Sequence, residues 1–392
     1  MKLLKKYILF AFLIENLLMQ TYIIRLGEWP FYIMCGIGLA LLFSKEFWSR
    51  DAFRKCKPLY LLALVYIVYQ FTLGFDTLSA RSLTYLLAKV TTFVIVIMSV
   101  VTNWQFYARK MPMYVTYIVF AVLLYGIITG NDLNSGERLK LGFGNENSTS
   151  SIAAICLAGV LFFWNKKHKW IYAIIALVSA YAVLAGGSRN GMFSLAIIML
   201  VWTGLSVKKI VYAGIVLFVM WGAINVLHVN LAGVDRMKDT VEGREGTNRD
   251  AEREAAYIMI SEKPWTGWGF KSENVGRAAS VTEIGAHSGY LEMIKDIGYP
   301  FAILWFAILF FSVLPLLKYI KSTDIALRYH IAIVVSHIAA AFFESLYVGV
   351  HELSTNIIFY SLAVLTTYQY MSQQQRNVIP QYRAQATIAK QS

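Results

Sequence analysis

Runs of about 16–20 consecutive apolar residues recur along the whole chain, and they constrain its fold more than any other feature. As a helix, each run is long enough to cross a hydrocarbon core of about 30 Å. The runs are continuously apolar and do not alternate with polar residues, which favours spanning helices over the strands of a membrane barrel. The pattern predicts about twelve spans, near residues 7–24, 29–44, 59–75, 83–101, 112–129, 149–164, 170–185, 191–206, 210–228, 299–317, 329–348 and 356–371.

The composition excludes several other classes of protein. The chain has 392 residues, of which 57% are hydrophobic and only 15% are charged, against about 25% charged residues in a typical soluble domain. These values argue against a soluble enzyme and against a disordered chain. The three cysteines show no C-x-x-C spacing, so the sequence supports neither a disulfide framework nor a metal site.

Lysines and arginines are concentrated in alternate linkers between the predicted spans. With the N-terminus inside, the inner linkers and the C-terminal tail hold 21 of the 36 lysines and arginines but only three acidic residues. This bias predicts that both termini are cytoplasmic. The net charge of +13 is therefore a topology signal, to which anionic lipids of the inner leaflet contribute. It predicts membrane lipids, and not nucleic acid, as partners.

The spans fall into two groups separated by one long polar segment. Residues 1–228 are predicted to hold nine spans, and residues 229–288 form an extracytoplasmic segment that bears short helices. Residues 289–371 hold three further spans, and residues 372–392 form a cytoplasmic tail. The fold class is therefore all-α and polytopic. The two groups show no internal repeat, which argues against many transporter folds.

The polar segment contains a predicted helix with two arginines on one face. Thr247-Asn-Arg-Asp250 is similar to a capping box, and Lys263-Pro264 ends the helix. Arg249 and Arg253 are four residues apart, so both guanidinium groups can bind one diphosphate. The alternative is a solvated helix whose arginines pair with neighbouring glutamates.

Two further features of this segment are candidates for binding or catalysis. Trp268 lies in the aromatic turn Trp265-Thr-Gly-Trp-Gly269, whose rings could stack on a sugar or enter the membrane interface. His287 precedes a helix, where an imidazole can act as a base or donate to an anion. The alternative for His287 is a helix cap or an interface residue.

Arginines also occur in two outer loops. Arg189 lies in the short turn Gly186-Gly-Ser-Arg-Asn-Gly191, at membrane level, where an arginine requires an anionic partner. A lipid headgroup, a protein carboxylate or a substrate phosphate would each serve. Arg138 lies in a longer and more polar loop and is a similar candidate.

Ionisable residues inside the predicted spans are functional candidates by default. They are Glu15, Lys89, His337 and Glu344. Pairing of Lys89 with Glu15 or with Glu344 is an equally economical structural explanation. Glycine-rich nucleotide loops, an H-E-x-x-H motif and an Asp-x-Asp pair do not occur in the sequence. Their absence argues against an energy-coupled pump and against an ordinary nucleotide-sugar transferase.

The order of these motifs resembles the O-antigen ligase and polymerase superfamily. The sharpest likeness is His287-Ser288, nine residues and then Gly298, and Arg249 lies fifteen residues before Pro264, where the family keeps an arginine. The Gly-Ser-Arg-Asn-Gly turn around Arg189 is part of the same pattern. Phe301 departs from it, since the family often has a small residue or tyrosine there.

The resemblance covers about residues 130–320, and Arg138 and the stretch Gly144–Asn147 are similar to the family segment that enters the sixth span. It implies a GT-C-like glycosyltransferase of the bacterial inner membrane, active on the periplasmic face without a metal or cofactor. The donor would be a glycan on undecaprenyl diphosphate, and the acceptor either lipid A-core (ligase) or another repeat unit (polymerase). The rival from another class is a flippase for lipid-linked oligosaccharides.

On this resemblance His287, Arg189 and Arg249 are the expected catalytic residues. The arginines would bind the diphosphate, and His287 would either take the proton of the attacking hydroxyl or donate a hydrogen bond to the diphosphate. Arg138 and Arg253 are expected to assist at the diphosphate. Asn147 and Trp268 are the remaining expected substrate contacts.

Overall fold

A computed structural model describes residues 2–23, 29–129, 139–204, 206, 208, 211, 248–270, 287–350 and 352–388. Within these ranges, side chains are described except at residues 2, 248–251 and 376–388. The predicted span at 210–228, apart from the backbone of residue 211, and the loop residues 229–247 and 271–286 lie outside the described residues.

The described residues are helical almost throughout, with a single isolated β-bridge between Thr21 and Phe143. The helices are α1 (Lys2–Met19), α2 (Trp29–Leu42), α3 (Arg50–Lys55), α4 (Lys57–Phe71), α5 (Ala80–Thr102), α6 (Met111–Thr129), α7 (Glu146–Phe162), α8 (Lys169–Gly186), α9 (Arg189–Thr203), α10 (Asn248–Glu262), α11 (Gly289–Val313), α12 (Ile325–Ala340) and α13 (Leu353–Ile388). A π-helical turn, Phe106–Lys110, precedes α6, and short 3₁₀ segments adjoin α8 and α11.

Several of these helices are apolar, as the sequence predicts, but the count of twelve spans is not confirmed. Four described helical segments are long and apolar enough to cross a membrane, namely 80–102, 106–129, 166–186 and 289–321. Five shorter apolar helices, α2, α4, α7, α9 and α12, accompany them. The prediction of a span over 329–348 is wrong at its end, because α12 stops at Ala340 and the chain then turns. Conversely, α13 continues past residue 371 into the predicted tail.

The core is centred on α5 and α7. Every side chain from Thr91 to Val100 on α5, and from Thr149 to Val160 on α7, is buried. Small residues dominate the buried face of α7, which lets neighbouring backbones approach closely. Gly159, for example, packs directly against Thr116 of α6, where a side chain would clash. The core therefore offers a rigid support for the helix ends that carry the predicted arginines.

Helix α11 is broken near its start, and the break holds the polar helix α10 in place. Gly298 has φ of 70°, and Pro300 lacks the N–H that would bond to the carbonyl of Asp296. That carbonyl accepts instead from the N–H of Gly269 at 2.9 Å. Tyr299 donates in turn to the carbonyl of Pro264 at 2.8 Å. The two chain segments thus satisfy each other's backbone groups.

Glycines make this backbone exchange possible. A Cβ on Gly298 would lie 2.5 Å from the carbonyl oxygen of Trp265, and a Cβ on Gly267 would clash with Asp296. The aromatic turn after α10 and Gly298, which nine residues separate from His287-Ser288, are therefore two halves of one junction. This junction fixes the end of α10 relative to the first turns of α11.

Candidate active site

His287 lies between two carboxylates at the start of α11. Its Nε2 is 3.0 Å from Oε2 of Glu252, and its Nδ1 is 3.9 Å from Oε2 of Glu344. The histidine side chain is 34% exposed, whereas Glu252 is largely buried. Glu252 belongs to α10, and Glu344 belongs to the linker between α12 and α13. Three separate elements therefore meet at one imidazole ring.

The backbone of His287 is strained. Its φ is 42°, in the left-handed region that few residues other than glycine adopt. Such a conformation costs about 1–3 kcal/mol and persists only when the surroundings hold it. The surroundings here include Gly289, whose N–H donates to the carbonyls of Ala341 and Glu344 at 2.8 and 2.9 Å. The strain and the anchoring together fix the direction of the imidazole.

The linker that carries Glu344 is itself anchored from the core. The buried ammonium of Lys89 on α5 donates to the carbonyls of Tyr347 and Gly349 at 2.9 and 2.6 Å. Asn356 on α13 donates to the carbonyl of Val350 at 3.0 Å. Two hydrogen bonds of Lys89 thus go to the backbone of this linker. The sequence offered Glu15 as a partner of Lys89, and Oε2 of Glu15 accepts a hydrogen bond from Asn16 at 2.9 Å. Lys89 therefore supports the candidate site from behind.

Further acidic residues lie on the first turns of α11. Glu292 and Asp296 are both buried, and Lys295 lies 2.5 Å from Glu292 and 3.6 Å from Asp296. A buried carboxylate is costly unless a cation or donors compensate it. Lys295 supplies that compensation, so this trio stabilises the segment between His287 and the break at Gly298.

Arg189 begins α9 in a tightly packed turn. Gly186 and Gly191 both pack against Ser150 of α7 so closely that a side chain at either position would clash. The hydroxyl of Ser150 accepts from the N–H of Ser188 at 3.2 Å and donates to the carbonyl of Val183 at 2.9 Å. The neighbours of Arg189 in this turn are buried, whereas its own side chain is half-buried. The turn therefore presents the guanidinium group from a rigid base.

The turn of Arg189 adjoins the linker of Glu344. Phe193, one helical turn after Arg189, contacts the ring of Phe343 edge-on, with ring centroids 5.5 Å apart. Phe343 directly precedes Glu344, which lies beside His287. Side chains four residues apart on a helix are neighbours. The structure therefore brings the elements that carry Arg189 and His287 together.

Arg249 and Arg253 lie on α10 next to Glu252. Arg249 precedes Glu252 by three residues, a spacing that places both on the same side of the helix, although its side chain is outside the described part. Arg253 is half-buried. Because Glu252 contacts His287, the arginine-bearing end of α10 lies close to the imidazole.

Arg138 lies outside the described residues. The next residue, Leu139, donates its N–H to the carbonyl of Ala185 at 3.1 Å, directly before the turn of Arg189. Asn147 is half-buried in the first turn of α7, and its N–H donates to Oδ1 of Asn145 at 2.7 Å. Both predicted contacts thus belong to segments that border the Arg189 turn, and their roles stay predictions.

Trp268 is a packed residue. It is 5% exposed, its indole N–H donates to the carbonyl of Met259 at 2.8 Å, and the ammonium of Lys263 lies 4.3 Å from the centroid of its ring. These contacts already occupy its polar atom and one face. Trp265 in the same turn is 69% exposed, so it is the ring with a free surface. A sugar contact by Trp268 stays a prediction.

Sequence reasoning missed the role of Glu252 and the location of Glu344. The sequence indicates Glu252 only as an ion-pair partner of the helix arginines. It indicates Glu344 only as an ionisable residue inside a predicted span. Nothing in the local sequence around Glu252 signals a contact with a histidine 35 positions along the chain. One signal for Glu344 was present in the sequence: a carboxylate directly after two phenylalanines, in an otherwise apolar run, indicates a residue with a special role.

In the part of the chain that the structure describes, several apolar helices support a histidine that lies between two carboxylates. The helix that Arg189 begins contacts the linker that carries one of these carboxylates. Residues 174–306 match the family model described as O-antigen ligase. The match contains Arg189, Arg249 and His287, and it confirms the resemblance to the O-antigen ligase-related family. No match was found among curated proteins. The family match supports a membrane enzyme of the O-antigen ligase or polymerase type in polysaccharide biosynthesis.

Proposed function

We propose that the chain is a membrane-embedded, GT-C-like glycosyltransferase of the bacterial inner membrane. It transfers a glycan from undecaprenyl diphosphate to lipid A-core on the periplasmic face, as an O-antigen ligase does. The observation that supports this proposal best is the placement of His287 between Glu252 and Glu344, since Phe343, next to Glu344, contacts Phe193 of the helix that Arg189 begins. The apolar helices are suited to the undecaprenyl tail, and the helix ends are suited to the polar reaction.

The leaving group determines what the arginines do. When the glycosidic carbon is attacked, its bond to the diphosphate oxygen breaks and negative charge develops on the lipid diphosphate. Fixed guanidinium groups stabilise such charge without reorganisation at the moment of reaction. Arg189 on its rigid turn and Arg249 on α10 are assigned to this task, with Arg138 and Arg253 assisting. Such a mechanism requires no metal or cofactor.

The two carboxylates assign different tasks to the two nitrogens of His287. Oε2 of Glu252 lies 3.0 Å from Nε2, and on this basis we assign the proton of the neutral ring to Nε2. Glu344 lies farther away, at 3.9 Å from Nδ1, and Nδ1 is the nitrogen that we assign to the substrate hydroxyl. Nδ1 then takes the proton of the acceptor hydroxyl as its oxygen attacks the glycosidic carbon, with inversion. Both carboxylates stabilise the imidazolium that forms.

Glycan transfer by the purified protein tests the proposal. Donor and acceptor are mixed with the protein in detergent micelles, and the covalent product is measured. We expect His287→Ala, Arg189→Ala and Arg249→Ala to abolish product formation while the protein still accumulates. His168→Ala and Arg54→Ala, which alter exposed residues of the same types elsewhere, serve as matched controls.

Two other outcomes would point to a different function. Full activity in all three variants would contradict the site, and a protein that moves lipid-linked glycan without forming a covalent bond would be a flippase.

Surface glycan from a deletion strain separates the two transferase types. Lipid-linked polymer that accumulates without reaching the core indicates a ligase, whereas single repeats attached to the core indicate a polymerase.

A further inference from the structure

An apolar cleft of about 450 Å³ lies between α4 and α5 and is bordered by the α2–α3 linker. Its volume is within the range of small-molecule binding sites in proteins. None of its lining residues belongs to the site around His287, and the proposed glycan transfer makes no use of it.

The cleft is elongated along the helix axes. On α5 it is lined by Val90, Val94 and Ile97, and on α4 by residues from Tyr60 to Ile67. Each set spans eight residues, whose seven rises of about 1.5 Å cover about 10 Å of helix. The hydroxyl of Tyr60 donates to the carbonyl of Phe47, so the Tyr60 end adjoins the α2–α3 linker. The opposite end is formed by hydrocarbon side chains alone.

Among the described residues that line the cleft, one is charged, and it lies at the linker end. This residue is Arg50, the exposed first residue of α3. Trp48 and Tyr60 carry the other polar side-chain atoms of the lining, and both donate to backbone carbonyls. The cleft thus has a hydrocarbon interior with a guanidinium group at one end.

The acidic residues near this end are already paired. Glu46 lies 2.8 Å from Lys5, and Asp51 lies 2.6 Å from Lys55. The hydrogen bond from Lys5 holds the pKa of the Glu46 carboxyl below its ordinary value, so the pair remains ionised. Among the ion pairs of the described residues, neither carboxylate is joined to Arg50. The positive charge at the mouth of the cleft is therefore available to a ligand.

We propose that this cleft binds an anionic phospholipid, with one acyl chain between α4 and α5 and the phosphate group at Arg50. An acyl chain matches a long apolar cleft, and a guanidinium group binds phosphate oxygens in a bidentate manner. Trp48 lies at the same end and is 70% exposed, in the way that tryptophans occupy the headgroup level of a membrane. The complementary charge selects an anionic lipid over a zwitterionic one.

Native mass spectrometry of the full-length protein tests this site. Delipidated protein in detergent is titrated with dioleoyl phosphatidylglycerol and, separately, with dioleoyl phosphatidylethanolamine. We expect one phosphatidylglycerol to bind about tenfold more tightly than phosphatidylethanolamine, since both lipids offer a phosphate to Arg50 but the ammonium group of phosphatidylethanolamine neutralises that charge and repels the guanidinium group. Arg50→Gln should remove this preference.

Two variants separate a defined site from general attraction. Arg54→Gln removes an exposed cation of the same helix that does not line the cleft, and it should keep the preference. Leu64→Trp fills the cleft at a residue that is 52% exposed, and it should weaken the binding of both lipids. Equal affinity for the two lipids in the wild type, or equal losses in Arg50→Gln and Arg54→Gln, would overturn the proposal. Unchanged binding in Leu64→Trp would overturn the placement of the acyl chain.

Discussion

The contact between Glu252 and His287 gives the sharpest test of the catalytic assignment. Glu252→Gln keeps the size and shape of the side chain but removes the negative charge 3.0 Å from Nε2. A carboxylate in this position fixes the tautomer and stabilises the imidazolium that forms during proton transfer. A glutamine can present its NH₂ group to Nε2 and so favour the other tautomer, which cannot accept a proton at Nδ1.

The expected loss follows from the geometry. At 3.0 Å, the attraction between the carboxylate and the imidazolium that forms contributes about 1.4 kcal/mol at the dielectric constant of water and about 3 kcal/mol or more at partial burial. Because the His287 side chain is 34% exposed, solvent screening favours the lower half of that range. A loss of about 1.5–2 kcal/mol in the transition state lowers the transfer rate roughly 10- to 30-fold. Glu344 is farther away, at 3.9 Å, so Glu344→Gln should lower the rate only about threefold.

The assay is initial-rate glycan transfer at saturating donor and acceptor, measured together with the amount of folded protein that accumulates. Glu254→Gln, an exposed glutamate of the same helix, is the matched control. Equal rates in Glu252→Gln and the wild type, or an equal loss in Glu254→Gln, would refute the reasoning.

Three further predictions follow from the packing. Gly298→Ala should destabilise the protein in thermal unfolding by about 1–3 kcal/mol, since its φ of 70° and the nearby backbone exclude a side chain; Gly36→Ala, with open space around it, should not. Lys89→Met should reduce glycan transfer and increase protease cleavage of the α12–α13 linker, because two linker carbonyls lose their donor. Lys110→Met, which alters an exposed lysine, should change neither quantity. Gly191→Ala should shift the Arg189 turn and raise KM for the lipid-linked donor, because the added methyl group clashes with α7; an unchanged KM would contradict this.

The sequence predicts the helices well because their signal is local. Apolar runs and the Lys263-Pro264 stop depend only on neighbouring residues, and the helix predicted from Arg249 to Glu262 corresponds to Asn248–Glu262. The end of α12 at Ala340 was missed, because the apolar run continues through Phe342 and Phe343. There the backbone leaves the helix to bond with the start of α11, which hydropathy does not encode.

The candidate site is less accessible to sequence reasoning because its contacts are non-local. Glu252, His287 and Glu344 come from three elements that are far apart in the chain. The junction between the aromatic turn and Gly298 is another non-local contact that the sequence does not predict. Each half is recognisable as a turn or a motif, but their contact depends on the folded backbone. The arginines were identified as candidates by their surroundings, whereas the carboxylates that orient the histidine required the structure.

The anchoring of the α12–α13 linker by Lys89 has a consequence for how a substrate could reach His287. If this linker swung outward, a buried ammonium group would lose two carbonyl acceptors, at 2.9 and 2.6 Å, in an apolar environment. The linker is therefore a fixed wall of the site and a poor gate. On the proposed function, the lipid-linked glycan would therefore reach His287 without displacement of this linker.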